Sequence, residues 1–268
     1  MIRTVLIYCM VFFLLTAAAS AQSGIAVNEE SAVVYREGLS LFNGRKYGEA
    51  VAKFKESYAL DNRNLNALFA QGLAENRAGD NTAASATFSA VLEIEPTHEK
   101  ALKMLPTALT EAGEFEAAFA AYDRGMAAMP DSAYFYLGKA VAYLKEEQYK
   151  DAIPLLSKAS ELEQKNADIL VRLMFAYREF GDMAKATDTA KKVLALDGGH
   201  AQARVIVADY FRENERYEDA LAEYELASRN IETKAYAEHY IEQINQTLEE
   251  LEIEREYQAR QEAAGNGG

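Results

Sequence analysis

A single cysteine, Cys9, excludes any disulfide within the chain. Basic residues are also scarce, 28 against 42 acidic ones, for a net charge of −14. Lysines and arginines are scattered, with no basic stripe beside aromatic residues, so nucleic acid is not expected as a partner. There are three histidines, His98, His200 and His239, and none has another histidine or a cysteine at ligand spacing. That argues against a metal site. No glycine loop suited to phosphate and no G-x-S-x-G elbow is present. Carboxylate pairs such as Glu146-Glu147 and Glu249-Glu250 are placed on exposed helix ends or faces. Nothing there shifts a pKa as catalysis requires. The expectation is no catalytic residue, no cofactor and no enzyme activity.

Long apolar runs are missing too. Val5 to Leu15 is apolar, shorter than the about 20 residues that a membrane span needs. Arg3 precedes it and Ala19-x-Ala21 follows, which together read as a secretory signal over residues 1–21, cleaved before Gln22. Cys9 lacks the small preceding residues of a lipoprotein signal. An exported chain without cysteine fits a bacterial periplasm. An uncleaved segment anchoring the protein to the membrane is the alternative.

What the sequence does have is a strict period. Ala50, Ala84, Ala118, Ala152, Ala186 and Ala220 recur every 34 residues without insertion or deletion. Four residues after each stand Phe54, Phe88, Tyr122, Leu156, Ala190 and Tyr224. Twelve residues before stand Gly38, Gly72, Pro106, Ala140, Met174 and Ala208, mostly small. Positions 0 and +4 share a helix face, and the small residue lies on a preceding helix that must approach closely. Asn43-Gly44-Arg45, Ala78-Gly79-Asp80, Ala112-Gly113-Glu114 and Phe180-Gly181-Asp182 read as the turns inside units. Pro96, Pro130 and Gly198-Gly199 read as stops after them. A period of this length marks a stacked repeat array, and such arrays bind other chains more often than they catalyse.

The pattern resembles the tetratricopeptide repeat (TPR) family, in units starting near Ser31, Leu65, Glu99, Ala133, Ala167 and Ala201. The resemblance implies an all-α, right-handed α-solenoid of six helix-turn-helix repeats over residues 31–234. A polar lead (22–30) would precede it, with a C-terminal capping helix (235–262) and a disordered tail (263–268) after it. Tyr236, Tyr240, Ile244, Leu248 and Leu251 form the stripe expected to cover the sixth unit. Ala190, in place of a large residue, suggests a looser fifth unit, and Pro106 is expected to kink the first helix of the third.

In the resembled family the first helix of each unit lines a concave groove that holds a peptide or a partner helix. The matching faces here nominate Tyr35, Phe69, Leu73, Lys103, Tyr134, Leu137, Val141, Val171, Phe175 and Arg178 as ligand-binding residues. Val205, Asp209 and Arg212 are the corresponding positions of the sixth unit. The family's lysine–asparagine clamp for chaperone tails is absent, since Tyr35 and Leu39 stand at those positions in the first unit. The functional expectation is a scaffold for envelope proteins or peptides, active in envelope or pilus assembly. A self-associating array and an enzyme accessory domain are the alternatives.

Overall fold

The computed structural model describes residues 28–265. The expected signal segment 1–21, the lead as far as residue 27 and the tail from residue 266 lie outside the described residues. Among the described residues there are thirteen helices. The first twelve form six pairs: α1 (Glu29–Asn43) with α2 (Tyr47–Leu60), α3 (Leu65–Arg77) with α4 (Asn81–Ile94), α5 (Glu99–Ala112) with α6 (Phe115–Ala128). Next come α7 (Ala133–Lys145) with α8 (Tyr149–Leu162), α9 (Ala167–Phe180) with α10 (Met183–Leu196), and α11 (Ala201–Glu213) with α12 (Tyr217–Ala227). α13 (Lys234–Gly265) closes the chain. The architecture is an all-α solenoid of helix-turn-helix repeats.

The chain divides into two compact units at Ala121/Tyr122. In the first, each of α1 to α4 packs on its successor. In the second, the same holds from α7 through α13.

Packing explains the alanine series. All six alanines are fully buried, with the +4 residues Phe54, Phe88, Leu156 and Tyr224 buried beside them. The glycines opposite are required by shape. A Cβ on Gly38 would lie 2.6 Å from the Phe54 ring, and one on Gly72 would lie 2.7 Å from that of Phe88. In the fifth pair the sizes are exchanged. Met174 and Ala190 are both fully buried in one cluster with Leu170, Val193 and Ile206. The expected looseness of this unit is therefore corrected, because a large residue on the first helix fills what a small one on the second leaves open.

The turns hold a second periodicity. Left-handed backbone occurs at Arg45, Gly79, Gly113, Glu147, Gly181 and Glu215, once per repeat and 34 residues apart. Gly44, expected to make the first turn, has an ordinary negative φ of −76°, and its neighbour Arg45 takes the left-handed position at 59°. The first helices from α3 on start behind Asn64, His98, Ser132, Asn166 and His200, again 34 apart. His98 and His200 are thus helix caps. Their Nδ1 atoms accept the N–H groups of Ala101 at 3.1 Å and Ala203 at 3.2 Å, as Asn64 and Asn166 do with their side-chain oxygens. α5 runs unbroken through Pro106, whose carbonyl accepts the Thr110 hydroxyl at 2.8 Å.

No helix among the described residues is long and apolar enough to cross a membrane.

Candidate functional site

In the first unit, α1 and α3 enclose an open apolar cavity of about 190 Å³. Tyr35, Leu39 and Phe42 come from α1, and Asn66, Phe69, Ala70 and Leu73 from α3. Phe54 of α2 and Lys100 of α5 complete the lining. The residues recur at helical spacing, four apart in Tyr35/Leu39 and in Phe69/Leu73, so each helix turns one stripe to the cavity. Tyr35 lies 5.6 Å from the Phe54 ring, and burial raises the pKa of its phenol above the usual value. Phe69 lies 5.6 Å from Phe88 and 5.0 Å from His98, so the histidine that caps α5 also braces a wall of the cavity. An apolar interior with an amide and an ammonium among its lining residues suits an apolar side chain carried on a polar backbone.

Three nominated residues, Tyr35, Phe69 and Leu73, line this cavity. Lys103 does not. It stands on α5, where its ammonium bonds Glu99 at 2.7 Å. Sequence reasoning missed Asn66 and Lys100 as lining residues. Asn66 lies three residues before Phe69 on the same helix face, a signal the i, i+3 rule could have supplied.

In the second unit the nominated residues serve two roles. Leu137 packs against the clusters around Ala140 and Ala133, and Val171 and Phe175 against the cluster around Met174. These three are partly core. Val141 is half-buried, and Tyr134 is exposed with its ring edge-on to Phe135 at 5.4 Å. Arg178 stacks over Phe175 at 4.7 Å and bonds Glu179 at 2.6 Å.

Of the sixth-unit candidates, Asp209 is buried under the C-terminal helix and Arg212 is partly exposed beside it. The Asp209 carboxylate accepts hydroxyl bonds from Tyr224 and from Tyr236, the latter at 3.0 and 3.1 Å. Burial, and then the Asp209 carboxylate, push the Tyr224 phenol far above its ordinary pKa. Arg212 stacks over Tyr240 at 4.4 Å. Below them Ala237, Ile244 and the partly buried Tyr240, Ile241 and Leu248 pack on Ala208, Ala220 and Tyr224. Leu251, expected in this stripe, is exposed because α13 has run past the sixth pair.

Two buried polar clusters were not foreseen. Glu75 accepts bonds from Gln71 at 2.8 Å and Thr87 at 2.6 Å, with Lys55 3.6 Å away. Ser31 and Ser57 each donate to the other's carbonyl at 2.8 Å, and the Asn64 amide donates to both hydroxyls. Both sets are internally satisfied and structural. No group of three or more metal-ligating side chains occurs among the described residues.

Stacked helical hairpins with a lined cavity between first helices define a class of helical-repeat proteins. Models described as tetratricopeptide repeat match residues 107–167 and 143–210, so this stretch of the chain matches tetratricopeptide repeats. A model described as a bacterial transcriptional activator domain matches residues 10–132. Among solved structures, MamA from Desulfovibrio magneticus RS-1 is similar with a TM-score of 0.60 at 22% identity, covering 65% of this chain and 99% of that one. YrrB, described as a TPR protein with an unusual peptide-binding site, gives a TM-score of 0.58 at 18% identity, covering 70% and 96%. Sperm-associated antigen 1 of Rattus norvegicus is 30% identical over 108 residues, which is 40% of this chain and 12% of that protein.

Proposed function

We propose that the chain is a non-catalytic scaffold that holds an extended or helical segment of another protein against the first helices of its repeats. The observation that carries this reading is the cavity between α1 and α3, where Tyr35, Leu39, Phe42, Phe69 and Leu73 leave an apolar hollow that the repeat stack does not fill. Apolar side chains held around an open hollow in this way are the usual anchors of an interface. The likeness to YrrB, whose description names a peptide-binding site, supports the same reading.

The signal-like residues 1–21 support an exported, periplasmic location, and with it envelope proteins as partners, in envelope or pilus assembly. The test is a pull-down from a bacterial envelope fraction with the wild type and with a Tyr35→Ala/Leu73→Ser variant, each checked for helix content by circular dichroism. Proteins captured by the wild type and lost by the folded variant support binding at the cavity. Proteins captured equally by both refute it.

A further inference from the structure

We propose that the distal half of α13 is a second, separate docking surface, for a basic amphipathic segment of a partner protein. The helix is 32 residues long, but its packing on the sixth pair reaches only to Leu248. Every residue from Glu249 to Glu262 is exposed. At 1.5 Å per residue, these 14 residues form about 21 Å of helix that none of the described residues covers.

The apolar face changes sides along the helix. Ala237 and Ile244, seven residues apart, belong to the stripe that docks, and Leu251 continues its line past the sixth pair. Beyond Leu251 that stripe becomes polar, with Arg255, Gln258 and Glu262. Ile253 and Tyr257, four residues apart, open a new stripe roughly 200° round the helix from Leu251. They are 62% and 58% exposed. They are therefore not an overrun of the stripe that covers the sixth pair.

Charge selects the occupant. The segment carries six glutamates against two arginines, a net −4. Glu249, Glu250, Glu254 and Glu256 stand within a turn of the Ile253/Tyr257 pair. Bonds from Gln258 to Glu254 at 2.8 Å and from Arg260 to Glu256 at 3.1 Å hold two of the acids along the helix. An apolar knob framed by carboxylates complements a lysine- or arginine-rich helix with an apolar stripe. A second copy of the same acidic helix would meet it with like charge.

The probe is a dye-labelled amphipathic peptide of leucine and lysine, titrated with the full chain by fluorescence anisotropy beside a leucine–glutamate peptide of the same spacing. The lysine peptide is expected to bind and the glutamate peptide not. Ile253→Ser/Tyr257→Ser is expected to weaken binding by about tenfold or more. Its unfolding midpoint should not move, because these side chains support no part of the core. Leu73→Ser, which alters the first-unit cavity, should bind as the wild type does, so the two surfaces are read independently. Absence of binding, or equal binding by the Ile253/Tyr257 variant, overturns the proposal. So does a concentration-dependent rise in mass that the same variant abolishes, since the occupant would then be a second copy.

Discussion

Arg45, Glu147 and Glu215 hold a left-handed backbone that three other repeats assign to glycine. An L-residue there is strained by about 1–2 kcal/mol, part of which glycine gives back through its freer unfolded chain. Glu147→Gly and Glu215→Gly are each expected to raise stability by roughly 0.5–1 kcal/mol, read as a shift of the urea midpoint at constant slope. Gly181→Ala should move it the other way by a similar amount. The caps make a parallel case. His98→Ala removes the acceptor for Ala101 and should cost about 1 kcal/mol, whereas His98→Asn keeps it and should be close to neutral. Of these two series, turn glycines were legible in the sequence only where glycine was present. The left-handed position at Arg45 was not, since a glycine one residue earlier gave a false sign.

Between elements, size matching governs. Gly72→Ala places a methyl against the Phe88 ring and should destabilise by about 1–3 kcal/mol, with Phe88→Leu in the same chain restoring part of the loss. The exchange of Met174 and Ala190 shows the same rule solved the other way round. Electrostatics stitches the start of α1 to the end of α2. Asp61 is held well below the usual carboxylate range, first by the Arg63 guanidinium and then by the N–H groups of Asn28 and Arg63. A depressed folded pKa contributes stability that is present above the unfolded value of about 4 and lost as pH falls below it. The stability gap between the wild type and Asp61→Asn, measured by urea unfolding, should therefore be constant near neutrality and shrink below about pH 4. No periodicity announced this contact, because Asp61 and Arg63 lie in a turn and Asn28, 33 residues earlier, meets Asp61 only once the chain has folded back.

For the molecule as a whole, α13 has two halves with different work. Ending the chain after Thr233 uncovers Ala208, Ala220 and Tyr224, so the shortened protein should unfold at lower temperature and aggregate. Ending it after Leu251 removes nothing that packs, and thermal unfolding should be unchanged. The repeat number, the helix-turn-helix unit and the buried alanines were determined by the sequence itself. A strict 34-residue period admits one local solution, repeated, and helical spacing says which residues share a face. Which of those faces stay open was decided by the tertiary structure. Phe69 and Val171 hold matching places in their repeats, three periods of 34 residues apart, as do Leu73 and Phe175 one helical turn later. Only the neighbours supplied by α1, α2 and α5 leave a hollow beside Phe69 and Leu73, while those of the fifth pair draw Val171 and Phe175 towards the core. A repeat pattern fixes the phase of each helix. The size of the side chains that arrive from other repeats fixes how much room is left between them.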